Sequence, residues 1–155
     1  MIKTGTLNHN EAGNRAYQLA KDLWHYNRSL TGEGVRQTLS HLQKELPELE
    51  IKSVPTGTTV FDWTVPKELH VNEAWIETPS GERICDFGVN NLHLLGYSTP
   101  ITCEISLAEL NDHLYSLPDQ PDAIPYITSY YKERWGFCLT HQQRQSLPEG
   151  TYKVH

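Results

Sequence analysis

Residues 74–85 read AWIETPSGERIC: the β-prone run Ala74-Trp75-Ile76 and the run Arg83-Ile84-Cys85 stand on either side of Pro79-Ser80-Gly81. Proline presets one backbone angle of a turn and glycine supplies another that side chains resist, so this stretch is predicted to be a β-hairpin. A hairpin pairs its strands antiparallel, and the surrounding pattern extends that reading. Upstream of Leu49 the apolar period is about 3.6; downstream it is 2, with short runs separated by Pro55-Thr56-Gly57 and Pro66-Lys67.

The upstream half is helical in pattern. Ala12, Ala16, Leu19, Ala20 and Leu23 recur at three- and four-residue spacing, widened by Trp24, and predict a helix over about 11–26. After the polar, glycine-containing break Asn27–Gly34, Val35, Leu39, Leu42 and Leu46 predict a second helix ending at Pro47. Downstream, strands are expected around Ile51–Val54, Thr59–Trp63, Glu73–Glu77, Asn91–Leu95 and Trp135–Leu139. Ser106 with Glu109 forms a capping-box pattern opening a helix that carries Leu107, Leu110 and Leu114, and Thr140 is placed to cap another. The closing residues Thr151–His155 alternate like a strand that is cut short or lies at an edge. The fold class is α+β: an N-terminal helix pair followed by a mainly antiparallel β-rich domain with short helices. The expected organisation is a helical segment over 1–54 and a β-rich accessory domain over 55–155.

Composition narrows the function. A chain of 155 residues has the length of one domain. Only 37% of it is hydrophobic, and eight of those residues are tyrosines, which makes for a thin core. The net charge of −6 opposes a phosphate-binding surface, so no nucleic-acid partner is expected. No signal-peptide core and no membrane-length apolar run occur, which gives the expectation of a cytoplasmic protein without membrane contact. Cys85, Cys103 and Cys138 are widely spaced and read as reduced thiols.

Several stretches carry groups able to do chemistry. The segment NRSLTGEGVR, Asn27–Arg36, places glycines and arginines at a helix start, where free backbone N–H groups attract anions; its structural alternative is a helix-to-helix turn. Asp62, between Phe61 and Trp63, is a general-base or anchoring candidate. Asn91 and His93 share one face if 91–95 is a strand. Cys138 and His141 lack an orienting third group and read as ordinary residues. The eight histidines contain no metal-binding spacing. Five of the fifteen aromatics gather in PYITSYYKERWGFC, Pro125–Cys138, where some close the core and the remaining tyrosines face something else.

The motifs NRSLTGEGVRQTL (27–39), PTGTTVFDWTVPKELHVNEAWI (55–76), VNNLHLLGYSTP (89–100) and PDAIPYITSYYKERWGFCLT (121–140) resemble, in order, a bacterial family of aminopeptidase-like proteins met near polysaccharide-biosynthesis genes. The resemblance runs from about Leu23 to Tyr152. It implies longer chains with a zinc-aminopeptidase α/β body, a β-rich inserted domain and a C-terminal winged helix, of which this sequence resembles the N-terminal helices and the insert. The family's zinc-binding stretch, His-x-Cys-His-Pro, would lie beyond His155, so no metal ligand carries over and no cofactor is expected in this chain. On that resemblance the chain is the front part of a zinc-metallopeptidase-like protein, inactive alone. The expected substrate contacts are Arg28, Asp62, His93, Tyr130, Tyr131 and Arg134, and the expected partner is the rest of the aminopeptidase-like body or another chain. The alternative is a binding module that holds a peptide, sugar or protein through its aromatic segment.

Overall fold

A computed structural model of the chain describes residues 9–28, 31–130 and 132–155. Two helices come first, α1 over His9–Leu23 and α2 over Glu33–Glu45. Their amphipathic stripes exist but find little to cover them. Leu23 is the buried residue of α1, α2 has none among the described residues, and Tyr17 and Leu46 stand 70% and 58% exposed.

The hairpin at 74–85 forms as expected: β3, Ile76–Glu77, pairs antiparallel with β4, Arg83–Ile84, in the register Ile76↔Ile84 and Glu77↔Arg83. Gly81 takes φ 85, the left-handed conformation the turn requires. The two strands are half of a four-stranded antiparallel sheet in the order β4-β3-β8-β5, with β5 at Cys103–Ser106 and β8 at Thr151–Val154. β8 is therefore an interior strand rather than an edge. Alternation along it turns Tyr152 and Val154 into the core and Thr151 and Lys153 outward. A second, parallel pair joins β6, Leu114–Tyr115, to β7, Phe137–Cys138.

Two helix starts expected from sequence are present. Ser106 opens α3, Leu107–Asn111, with a reciprocal capping box to Glu109, and Thr140 Oγ1 accepts the Gln143 N–H to open α4, His141–Gln145. Leu114 lies beyond α3, in β6.

Three strand expectations are corrected. Residues 51–54 form no strand, and Ile51 and Val54 are exposed. Residues 59–63 do not run straight: β1, Thr59–Val60, turns at Phe61 and Asp62 into β2, Trp63–Thr64. Residues 91–93 are a short 3-10 helix, because Asn90 Oδ1 accepts the Leu92 N–H and diverts the backbone from extended geometry.

The core belongs to the later part of the chain. Ile76, Leu110, Phe137, Leu139, Tyr152 and Val154 form one buried cluster, against which Ile84, Phe87, Ile105 and Trp135 pack. Its buried members all lie between Ala74 and Val154. Among the described residues no helix is long and apolar enough to cross a membrane.

Candidate functional site

Where the helical segment meets the β-rich part, local sequence dictates a close approach. Gly32 has φ 99, and a Cβ there would lie 2.8 Å from the Leu69 carbonyl oxygen; at Gly34 a Cβ would run into the Asn27 carbonyl. Both positions thus require glycine, the turn reading of NRSLTGEGVR. Polar ties fix the junction. Thr31 Oγ1 shares a 2.7 Å hydrogen bond with Tyr97 Oη, and Asn91 Nδ2 donates to the His25 carbonyl at 2.9 Å. Arg36 grips both carboxylate oxygens of Glu68 and also reaches Glu33.

These ties leave a groove of about 420 Å³ between the segment after α1 and the loop around Phe87–Leu92. Trp24, Tyr26, Phe87, Leu92 and Tyr126 give it aromatic and apolar walls, and Asn27, Arg28 and Asn90 are polar groups along it. Trp24 and Tyr126 are 62% and 60% exposed. A neighbouring groove of about 460 Å³ continues past Gly32, His70 and Gly88.

Of the six residues singled out from sequence, Arg28 lines the aromatic groove. His93 lies half-buried in the 3-10 helix, its Nδ1 bonded to the Cys138 carbonyl at 2.8 Å. Tyr130 packs edge-on against Tyr97, with ring centroids 4.8 Å apart. Tyr131 lies outside the described residues. Arg134 holds its guanidinium 5.5 Å from the Tyr115 ring centre and donates from Nη2 to the Thr128 carbonyl at 3.4 Å. Asp62 stands apart, at the exposed tip of the β1–β2 hairpin. The five described residues are therefore dispersed over several parts of the fold. Sequence reading missed Phe87 and Leu92 as groove walls; Trp24, at the end of the first helical stripe, and Tyr126, among the tyrosines expected to face outward, were the signals available.

The thiols are poor nucleophiles. Burial pushes Cys85 up to about 12, with the neighbouring Cys138 adding to the rise, and pushes Cys138 up to about 11. His141, near Cys138 in sequence, bonds instead to Ser116 Oγ at 3.0 Å. Among the described residues no three His, Cys, Asp or Glu side chains converge to hold a metal ion.

An α+β module with an open aromatic groove and an uncovered helical segment is the class these features define, and comparison places it. The chain belongs to the family described as Domain of unknown function (DUF2172), whose model matches residues 68–155. It is 45% identical over 147 residues to a Clostridium acetobutylicum protein named "Putative polysaccharide biosynthesis protein with aminopeptidase-like domain", across 95% of this chain and 34% of that protein. A crystal structure described as a "putative peptidase" from Clostridium acetobutylicum superposes with a TM-score of 0.88 at 45% identity, over 93% of this chain and 34% of that one. The chain thus spans about a third of the length of these relatives.

Proposed function

We propose that this chain is the N-terminal accessory portion of an aminopeptidase-like zinc metallopeptidase, supplying walls of the substrate cleft but no zinc ligands, and inactive by itself. One observation carries the reading: the hydrophobic core stops at the β-rich part, while Tyr17, Trp24 and Leu46 on and after the helices stand 58–70% exposed. Isolated helices of this length are marginal in water, so an apolar face of this kind gains most of its stability from packing on another body. The relatives' remaining two-thirds is the natural candidate for that body. Arg28, with the aromatic groove behind it, is the best-placed group to meet a substrate carboxylate.

The test is direct. The 155-residue chain should bind no stoichiometric zinc and hydrolyse no aminoacyl-p-nitroanilide, with or without added zinc. Either activity in the purified chain overturns the reading.

A second reading has its own observation. Trp24 and Tyr126, exposed aromatic residues that line the groove with Asn27 and Arg28, are residue types that stack on sugar rings and bond their hydroxyls. A self-standing carbohydrate module would show saturable shifts of the groove resonances on titration with a neutral or acidic oligosaccharide. Unchanged spectra at millimolar sugar remove it.

A further inference from the structure

The β1–β2 hairpin is built as a projection. Its register, Thr59↔Thr64 and Val60↔Trp63, leaves Phe61 and Asp62 as a two-residue turn. Its base is laced tightly: Gly57 N–H donates to Val65 O at 2.8 Å, Val65 N–H to Thr58 O at 2.9 Å, Thr58 Oγ1 to Pro55 O at 2.7 Å and Thr56 Oγ1 to Pro66 O at 3.0 Å. Among the described residues these two strands pair only with each other.

The apex contradicts ordinary surface chemistry. Phe61 is 97% exposed, with Val60 and Trp63 also exposed beside it. It also holds φ 55, the left-handed region where hairpin turns use glycine, asparagine or aspartate and where a bulky side chain is strained. A stiff hairpin that carries a phenylalanine outward at a position suited to glycine has the form of an anchor. Anchors of this kind bury an aromatic at the centre of an interface pocket.

What receives it follows from its surroundings. Val54, Leu46 and Tyr17 are exposed along the same N-terminal segment, which precedes the matched family module at 68–155. The relatives carry about two-thirds of their length outside the matched region. Resting on the function proposed above, we propose that the Phe61–Trp63 apex plugs an apolar pocket on the aminopeptidase-like part of the longer proteins, with a basic or N–H donor group at the rim facing the Asp62 carboxylate.

Cysteine accessibility tests this. Val60→Cys, exposed beside Phe61 and leaving that side chain in place, is made in the 155-residue chain and at the aligned position of the full-length Clostridium acetobutylicum relative, and N-ethylmaleimide labelling of that peptide is timed by mass spectrometry. Tyr17→Cys, on α1, is labelled in parallel. The native Cys85 and Cys138 are buried and react slowly, and the half-buried Cys103 is counted separately because it lies on a different peptide. Labelling at position 60 should be at least about tenfold slower in the long protein than in the short chain. Protection at 17 without protection at 60 overturns the plug and leaves the proposed function standing; protection at neither overturns both. Slow labelling at 60 already in the short chain, growing with protein concentration, would make a second copy the occupant and also overturn the plug.

Discussion

Arg36 of α2 and Glu68 meet as a two-point fork, Nη1 to Oε2 at 2.9 Å and Nη2 to Oε1 at 2.7 Å, across thirty-two residues of chain. The fork ties the helical segment to the first residue of the matched family module. Its hydrogen bonds from Arg36 hold the Glu68 carboxyl below the usual carboxylate range. A depressed folded pKa stabilises above the unfolded value and loses that contribution as pH falls through the lower, folded one. Both partners are solvent-exposed, so the contribution is small and screened by salt. Glu68→Gln should speed amide exchange in α2 about two- to fivefold at low salt and neutral pH, and the difference should vanish in about 1 M salt and once the pH has fallen through the lowered Glu68 pKa.

The glycines divide by what surrounds them. Gly34→Ala puts a methyl group into the Asn27 carbonyl, and Gly32→Ala adds contact with Leu69 O to a left-handed backbone. Each should cost about 1–3 kcal/mol, read as loss of the helix signal at 222 nm or as faster exchange in α2. Gly13 in α1 has nothing within 4 Å of an added Cβ, so Gly13→Ala should raise helicity by about 0.5–1 kcal/mol of helix stability.

Two phenylalanines should respond in opposite ways to truncation. Phe137 is 1% exposed in the core and Phe61 is 97% exposed. Phe137→Ala should destabilise the 155-residue chain by about 3–5 kcal/mol in urea unfolding. Phe61→Ala should change it by less than about 0.5 kcal/mol, with relief of backbone strain in its favour if it is replaced by glycine.

The cap of α3 is open to the same treatment. Ser106 Oγ accepts the Glu109 N–H at 3.3 Å while the Glu109 carboxylate accepts from the Ser106 N–H and hydroxyl at 2.9 and 2.7 Å. Ser106→Ala removes one side of the box and should cost about 0.5–2 kcal/mol by urea unfolding; Ser106→Asp, which can still accept the N–H, should retain part of it.

Elements whose geometry is set by neighbouring residues were legible in the sequence. Pro79-Ser80-Gly81 specified its hairpin, and Ser106/Glu109 and Thr140 specified their helix starts, because turns and caps are local hydrogen-bond chemistry. Local patterns failed where one side chain redirected the chain. Asn90 caps Leu92 and bends 91–93 into a 3-10 helix, and Phe61, a residue no turn rule favours, takes a turn conformation. The interior position of β8 was out of reach for a different reason: alternation marks a strand, but its neighbours β3 and β5 are chosen by contacts far along the chain. The groove shows the same division. Arg28 is visible as a lone cation in a glycine-containing loop, whereas Phe87, Leu92 and Tyr126 join it only through tertiary packing.

Hydrogen–deuterium exchange on the 155-residue chain and on the full-length Clostridium acetobutylicum relative tests the central claim most directly, that residues 9–64 form a surface covered by the rest of a longer protein. In the short chain, α1, α2 and the 59–64 hairpin should exchange at least about a hundredfold faster than the core strands β3 and β8, as weakly packed segments do. In the long protein the aligned segments should gain about tenfold or more protection while the core strands stay unchanged. Core-like protection of residues 9–64 in the short chain, or equal exchange of those segments in the two proteins, would contradict it.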